Sequence, residues 1–213
     1  MENFQIIYSD KHLAILTKNA GVAIQSQEQS IHPDLSQLFP NQSIFLVNRI
    51  DQPVSGLFVI AFSEEIERKL RTQWETQQVV KNYLAICEKE IGVQGELHHQ
   101  LSKVGNKAKV VLDSSGKPST LAFQLFGKSE KYFGYHIQLI TGRFHQIRAQ
   151  MAHAGAPIKG DLKYGAKRSN PGGGISLHSF QIEFKHPVSS EKMKFEANPP
   201  KDNLWDFFKT LLP

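Results

Sequence analysis

Cysteine is nearly absent from this sequence, since Cys87 is the only one among 213 residues. One cysteine excludes an internal disulfide framework and any zinc site built on several thiolates. Long apolar stretches are also missing, because the longest one without a charge covers the 11 residues 53–63 and is too short to span a bilayer. The N-terminus has an acid at position 2 and no apolar core, unlike a signal peptide. These absences predict a cytoplasmic protein without membrane attachment.

Surplus charge is missing from most of the chain and concentrated in one segment. The formal net charge is +5, and residues 141–170 supply all of it, with six lysines and arginines against Asp161 as the one acid. A local basic surface typically binds a polyanion such as nucleic acid. Charge alone leaves open a second interpretation, a solvated basic face without a partner.

The remaining composition is that of a globular protein, with 40% hydrophobic and 21% charged residues, and we expect a single domain over residues 1–213. Strand patterns outnumber helical ones and do not alternate with them. This predicts an α+β fold, a mixed, mainly antiparallel β-sheet with helices packed on it. Strands are expected near 6–8, 13–17, 44–47, 56–62, 83–87, 121–126, 132–140, 176–184 and 192–196, helices after Ser63 and at 144–154 and 204–212, a loop at 19–43, and loop with short strands at 88–119.

Asp51 stands in a short polar segment between two apolar runs, 44–47 and 56–62. A carboxylate in such surroundings must be paired with a cation or take up a proton. Arg49, two residues earlier, is a possible partner. The alternative is an ordinary Asp-X-Pro turn, because Asp and Pro both favour turns.

The segment Thr141-Gly-Arg-Phe-His-Gln-Ile-Arg148 follows a predicted strand and opens a predicted helix. Arg143, His145 and Gln146 lie near the helix N-terminus, where exposed backbone N–H groups attract anions. Ile147 falls on the face that packs into the core. A metal site on this helix is rejected, because His145 and His153 are eight residues apart, about 12 Å along a helix.

Two further segments carry polar groups of interest. The turn-rich stretch 156–165 mixes basic and aromatic residues, which suits phosphate and base contacts, although Asp161 and Tyr164 could equally hold a structural turn. In Lys81-Asn-Tyr83-Leu-Ala, a lone strand tyrosine is most often a core residue with its hydroxyl at the surface.

Taken together, four segments resemble the RluA family of pseudouridine synthases. In chain order they are Asn48-Arg-Ile-Asp-Gln-Pro-Val-Ser-Gly56, Lys81-Asn-Tyr-Leu-Ala85, Thr141-Gly-Arg-Phe-His-Gln-Ile-Arg148 and Pro157-Ile-Lys-Gly-Asp-Leu-Lys-Tyr-Gly165, with Leu177-His178-Ser179 and His186-Pro187 as later pieces. The family usually has His-Arg-Leu-Asp and then Thr-Ser-Gly in the first segment, so this chain departs at Asn48, Ile50 and Val54. It also has Gln150 where a second His usually follows the third segment.

The resemblance implies an RNA pseudouridine synthase, an isomerase that converts a specific uridine of rRNA or tRNA to pseudouridine. It implies Asp51 as the catalytic residue, Arg148 as the cation that keeps it ionised, and Tyr83 stacked on the uracil. It implies no cofactor and no metal, because the reaction returns the same atoms. The expected RNA contacts are Arg49, Arg143, His145, Gln146, Lys159, Lys163, Lys167 and Arg168, with Ile147 packed beside the base pocket.

Two other functions remain open on the sequence. A nucleoside or RNA glycosylase needs the same carboxylate and base pocket but releases the uracil. A non-catalytic RNA-binding protein or chaperone needs only the basic surface. The family's early Lys-Pro-Ser/Ala-Gly pattern is Lys18-Asn19-Ala20-Gly21 in this chain, without the proline. Because this pattern starts within the first twenty residues, we expect no appended S4-type RNA-binding domain, and we expect no obligate protein partner.

Overall fold

A computed structural model describes residues 3–25 and 31–212 and places eleven strands in one sheet. The strands are β1 (Phe4–Ser9), β2 (Leu13–Lys18), β3 (Phe45–Leu46), β4 (Ser55–Ala61), β5 (Val80–Cys87), β6 (Gln94–Val104), β7 (Lys107–Val111), β8 (Lys117–Lys128), β9 (Phe133–Leu139), β10 (Leu177–Lys185) and β11 (Lys192–Glu196). The helices are α1 (Pro33–Leu38), α2 (Glu64–Glu75), α3 (Gln146–His153) and α4 (Asn203–Lys209), with a 3₁₀ turn at Leu162–Tyr164.

The strand order is β1-β2-β4-β10-β5-β9-β8-β6-β7, with β3 paired to β4 and β11 to β10. The β4–β10 pair is parallel, and the other strand pairs among the described residues are antiparallel. This arrangement confirms the predicted α+β fold with a mixed, mainly antiparallel sheet. None of the helices in the described part of the chain is long and apolar enough to cross a membrane.

The sheet buries both of its faces, because successive side chains of a strand point to opposite sides. On β5, Tyr83, Ala85 and Cys87 join the core on the α3 face, and Leu84 and Ile86 pack with α4 on the other. Helix α2 covers that second face beside β2 and β4. The motif residues predicted to form the site lie on the opposite face, the one that carries α3.

The predicted helix after Ser63 is present because the sequence supplies its cap. The Ser63 hydroxyl accepts a hydrogen bond from the Ile66 N–H at 3.3 Å, which satisfies one of the open donors of the first turn. Three glutamates lie in that turn, where the helix dipole favours negative charge. Ile66 and Leu70 then bury one face of α2.

The expectation of mainly loop at 88–119 is wrong, because β6 and β7 form a long hairpin there and β8 has already begun at Lys117. Most residues of β6 are exposed or half-buried, since the hairpin extends the sheet beyond the central core. A strand with solvent near both faces lacks the apolar alternation that marks a half-buried strand. Its polar sequence therefore resembled a loop.

Part of the segment 19–43 also differs from the expected loop. Helix α1 begins at Pro33, a residue favoured at the first helical position, and the Nδ1 atom of His32 accepts from the Asp34 N–H at 3.2 Å. Residues 26–30 of the same predicted loop lie outside the described part of the chain.

Gly56 permits the close approach of β4 and β10 that positions the site. Its φ is +108°, and an added Cβ would lie 2.3 Å from the backbone oxygen of Ser179. Only glycine fits that backbone and that spacing. The same β4 strand begins four residues after Asp51, so this contact holds the loop that carries the carboxylate.

His178 on β10 makes the stability of the folded state depend on pH. It is 2% exposed, and its Nδ1 and Nε2 atoms each lie 2.9 Å from a partner, the Ser55 hydroxyl and the Ala197 carbonyl oxygen. Burial lowers its pKa to about 4 from an ordinary value of 6.5. Between those two values the unfolded chain binds more protons at this residue, so the folded state loses stability as the pH falls.

We expect His178→Gln, which cannot titrate, to lose less stability than the wild type between pH 6.5 and pH 4. One titrating group changes the unfolding free energy by about 1.4 kcal/mol per pH unit, or roughly 3 kcal/mol over this window. Urea unfolding at several pH values measures the slope. His98→Gln, at a side chain 64% exposed, is the control for the same change at the surface. Equal slopes in wild type and His178→Gln would contradict the linkage.

Candidate active site

Asp51 lies in the tight loop between β3 and β4, where the Val54 N–H donates to its backbone oxygen at 3.0 Å. Its side chain is 24% exposed, so the carboxylate reaches solvent from a mostly enclosed position. The loop is not the ordinary surface turn that the sequence left as an alternative, because its carboxylate faces a buried cation.

Arg148 on α3 is that cation, and it lies between two carboxylates. Its Nη1 donates to Oδ2 of Asp51 at 3.0 Å, while Nε and Nη2 donate to the two oxygens of Asp161 at 2.7 and 2.9 Å. Burial disfavours the charge of Arg148, but hydrogen bonds and attraction from Asp161, with a smaller contribution from Asp51, raise its pKa overall. Asp161, 1% exposed, fixes the guanidinium plane so that its free edge points at Asp51.

His145 faces the same carboxylate from the residue before α3. Its Nε2 lies 3.6 Å from Oδ2 of Asp51, and its Nδ1 is 2.8 Å from the hydroxyl of Tyr164. That hydroxyl accepts from the Ala108 N–H at 2.7 Å and can donate its own proton to Nδ1. In this arrangement neutral His145 carries its proton on Nε2, toward Asp51. Burial, opposed by Asp51 and reinforced by Arg148, lowers the pKa of His145 to about 4.

Lys18, at the end of β2, holds the loop that carries Asp51 through hydrogen bonds to its backbone. It is 2% exposed, and its Nζ donates to the backbone oxygen of Val54, to that of Gln52 at 3.0 Å and to that of Asn19 at 3.3 Å. Burial lowers its pKa to about 7, while the charge of Asp51 opposes that shift. The ammonium therefore fixes the backbone on both sides of Pro53. Sequence reasoning missed this role, and the signal was a lysine closing an otherwise apolar strand.

Tyr83 lies on β5 next to this group but is 9% exposed and packed into the core that includes Ile50 and Ile147. Burial raises its pKa to about 12, with a hydrogen bond from Ser179 opposing the shift and the charge of Asp51 adding to it. The hydroxyl therefore remains protonated. Stacking on a base needs an open ring face, and the structure leaves little of this ring open.

A family model described as RNA pseudouridylate synthase matches residues 12–153 of the chain. The chain belongs to this family. The ribosomal large subunit pseudouridine synthase C of Buchnera aphidicola subsp. Baizongia pistaciae is 32% identical over 228 residues, which cover 99% of this chain and 70% of that protein. The tRNA pseudouridine synthase C of Haemophilus ducreyi is 30% identical over 229 residues, covering 90% of this chain and 89% of that protein.

Other relatives are longer, and this chain spans 58% of the tRNA pseudouridine synthase C of Pectobacterium carotovorum, at 27% identity over 220 residues and 91% of this chain. Among solved structures, human RNA Pseudouridylate Synthase Domain Containing 4 matches with a TM-score of 0.78 at 19% identity, covering 96% of this chain and 92% of that chain. That likeness supports the fold. The family expected from the four motifs is thus confirmed.

Within the candidate site, Gln146 is not placed to contact RNA as the sequence suggested. It is 2% exposed, its Oε1 accepts from the Arg143 N–H at 2.9 Å and the Thr141 hydroxyl at 2.8 Å, and its Nε2 donates to the Thr120 oxygen at 3.1 Å. Every polar atom of the amide is used to hold the turn before α3. Ile147 belongs to the same hydrophobic core as Tyr83, and its position beside a base pocket stays a prediction.

Arg49 does not pair with Asp51, the possibility that the sequence left open. It is exposed, and its Nη1 donates to Gln25 Oε1 at 3.4 Å. The cation of Asp51 comes instead from 97 residues further along the chain. The expected RNA contact of Arg49 stays a prediction.

The outer cations of the family motifs lie at the surface with varied attachments. Lys167 and Arg168 are exposed, and Lys163 is half-buried with its Nζ 3.3 Å from the Asn106 oxygen. Lys159 is held more firmly, since its Nζ donates to Asn170 Oδ1. Arg143 is exposed next to the turn.

Two departures from the usual family motifs have structural roles. The Asn48 Oδ1 accepts from the Val59 N–H at 2.7 Å and so connects the loop that carries Asp51 to β4. Gln150 is fully buried, and its Nε2 donates to the backbone oxygens of Leu97 and Ser119 at 3.0 and 3.1 Å. These amides connect neighbouring elements and leave the Asp51–Arg148 pair unaltered.

Proposed function

We propose that this chain isomerises a specific uridine of ribosomal or transfer RNA to pseudouridine, with Asp51 as the catalytic residue. The observation that carries the proposal is a partly exposed carboxylate held by a buried arginine in a chain of the pseudouridylate synthase family. In this reaction the N1–C1′ bond breaks, the uracil turns, and C5 bonds to C1′. The proton of C5 leaves and N1 gains one, so the atoms of uridine are conserved.

Asp51 can serve as a nucleophile at C1′ or as a base that removes a sugar proton, and both routes need an accessible, ionised carboxylate. Arg148 supplies the compensating charge through Nη1. The Nε2–H of neutral His145 adds a donor on the same side of the carboxylate. Tyr83 is assigned to the floor of the uracil pocket, with its stacking on the base limited to the part of the ring that reaches the surface.

The RNA surface extends further than the sequence indicated. Lys103 lies with its Nζ 5.1 Å from the ring centroid of Phe144, and Lys163 reaches the turn that precedes Lys107. Hairpin β6–β7 therefore adds its lysines to the cations of 141–170. When the target nucleotide is flipped out of its stack toward Asp51, the phosphates on either side of it would contact this surface.

Replacing Lys163, Lys167 and Arg168 together by Ala should weaken RNA binding and flatten its dependence on salt. For single-stranded RNA each lost phosphate contact lowers the slope of log affinity against log salt by about 0.7, so we expect a change of about 1.4 to 2.1. Binding titrations at several salt concentrations measure this slope. Replacement of Lys11, Lys185 and Lys201, which are exposed outside the site, removes the same charge and should leave the slope unchanged. An unaltered slope in the first variant would refute the assignment.

Product analysis separates the proposed activity from the two alternatives. An isomerase forms pseudouridine and leaves the mass of the RNA unchanged. A glycosylase releases uracil and lowers the mass. A chaperone forms no pseudouridine and releases no uracil, so the RNA stays as it was. Comparing pseudouridine sites in cells with and without this protein identifies the target. The cytoplasmic location and the single domain over 1–213 stay predictions.

A further inference from the structure

Lys81 on β5 is a largely buried lysine whose ammonium still reaches solvent. The residue is 7% exposed, and within residues 3–25 and 31–212 its ammonium makes no hydrogen bond and no ion pair, although it does not count among the fully buried polar atoms that lack a partner. The other deeply buried cations of the site are compensated, Lys18 by backbone carbonyls and Arg148 by carboxylates. An ammonium that reaches solvent and has no partner among the described residues can bind an anion from outside the chain.

The surroundings of Lys81 are basic. Its Nζ lies 3.9 Å from where a Cβ of Gly142 would be, in the turn that follows β9. Burial lowers the pKa of Lys81, and the nearby charge of Arg143 lowers it further. Arg143 is exposed in that turn, its Nε donating to the Pro118 oxygen at 3.2 Å. A lysine beside the turn that carries an exposed arginine is suited to bind an anion with it.

The position of Lys81 relates this anion to the active site. Tyr83 is two residues further on the same strand, so both side chains point to the α3 face, roughly 7 Å apart along β5. Tyr83 in turn lies close enough to Asp51 for the carboxylate charge to affect its hydroxyl. A nucleotide whose base lies over Tyr83 can therefore place a neighbouring phosphate near Lys81.

We propose that Lys81, together with Arg143, binds a phosphodiester group of the RNA next to the target nucleotide. This inference rests on the proposed function, because it assumes RNA in the site. Lys81 is a binding residue here and makes no contact with the reacting atoms.

The test combines Lys81→Met with RNA in which one phosphate at a time is replaced by an uncharged methylphosphonate. Methionine keeps the apolar stem and removes the charge. We expect methylphosphonate at one position beside the target to weaken wild-type binding by roughly tenfold and to have no further effect on Lys81→Met. The variant should lose affinity by a similar factor, show a salt slope lower by about 0.7, and keep its turnover at saturating RNA.

Stability gives a second readout that separates binding from a structural role. If Lys81 serves a ligand, the free Lys81→Met protein should unfold at the same urea concentration as the wild type or a higher one, since within the described residues the change breaks no hydrogen bond or ion pair of the ammonium. Lys11→Met, at an exposed lysine of the β1–β2 turn, is the control for both readouts and should match the wild type.

The proposal is overturned if every methylphosphonate weakens wild type and Lys81→Met equally, or if the variant is less stable and its RNA binding is unchanged. Pseudouridine formation by the wild type on unmodified RNA is measured alongside. If none forms while the coupling between Lys81 and one phosphate persists, the proposed reaction fails and the phosphate site stands.

Discussion

Asp51→Asn is expected to abolish pseudouridine formation, by at least roughly a thousandfold, because an amide is neither a nucleophile nor a base in this reaction. The fold should tolerate the change. Arg148 keeps both hydrogen bonds to Asp161, and the amide oxygen at position 51 can still accept from Nη1. RNA affinity should remain within a few-fold of the wild type, since the surface cations are untouched.

Turnover under single-turnover conditions, RNA affinity and urea unfolding of the purified variant test this expectation together. Asp113→Asn, at an exposed aspartate in the β7–β8 turn, is the matched control and should retain full activity. Pseudouridine formation above background by Asp51→Asn would remove Asp51 from its assigned role. A large loss of RNA binding would instead show that the carboxylate organises the surface that holds the RNA.

The central part of the fold follows from the sequence because burial there leaves a pattern. β4 is buried at every position and appears as an unbroken apolar run, and β9 buries Tyr135 and Ile137 on one face while His136 and Gln138 on the other are half-buried and exposed. Hairpin β6–β7 lacks such a pattern because its stability comes from strand pairing at the periphery of the sheet. Its lysines were therefore not predicted to share a surface with the 141–170 segment.

Site residues were predictable where they belong to a family motif. They were unpredictable where their role depends on how the folded chain packs around them. The Asp51–Arg148 contact joins residues 97 positions apart, and the resemblance anticipated it. Asp161 was weighed equally as a turn residue, because no local pattern shows that it will be 1% exposed against an arginine. Lys18 and Lys81 are further cases, since their burial depends on strands far apart in sequence.

Arg148→Met is expected to cost both activity and stability, because it leaves the carboxylate of Asp161 buried without its cation. Removing one partner of a buried ion pair typically destabilises a protein by about 3–5 kcal/mol. Asp51, at 24% exposure, can be hydrated and contributes less to this loss. Urea unfolding measures the stability, and pseudouridine formation at a temperature where the variant stays folded measures the activity.

A second substitution separates the two effects. In the Arg148→Met background, Asp161→Asn removes the stranded charge while its backbone oxygen still accepts from the N–H groups of Tyr164 and Ala166 at 3.0 Å. We expect the double variant to regain most of the lost stability, with a favourable coupling of roughly 2 kcal/mol or more, and to remain inactive, because Asp51 still lacks the guanidinium. Additive losses would mean that Asp161 is not paired with Arg148 in solution. Activity in the folded double variant would show that Asp51 acts without the cation.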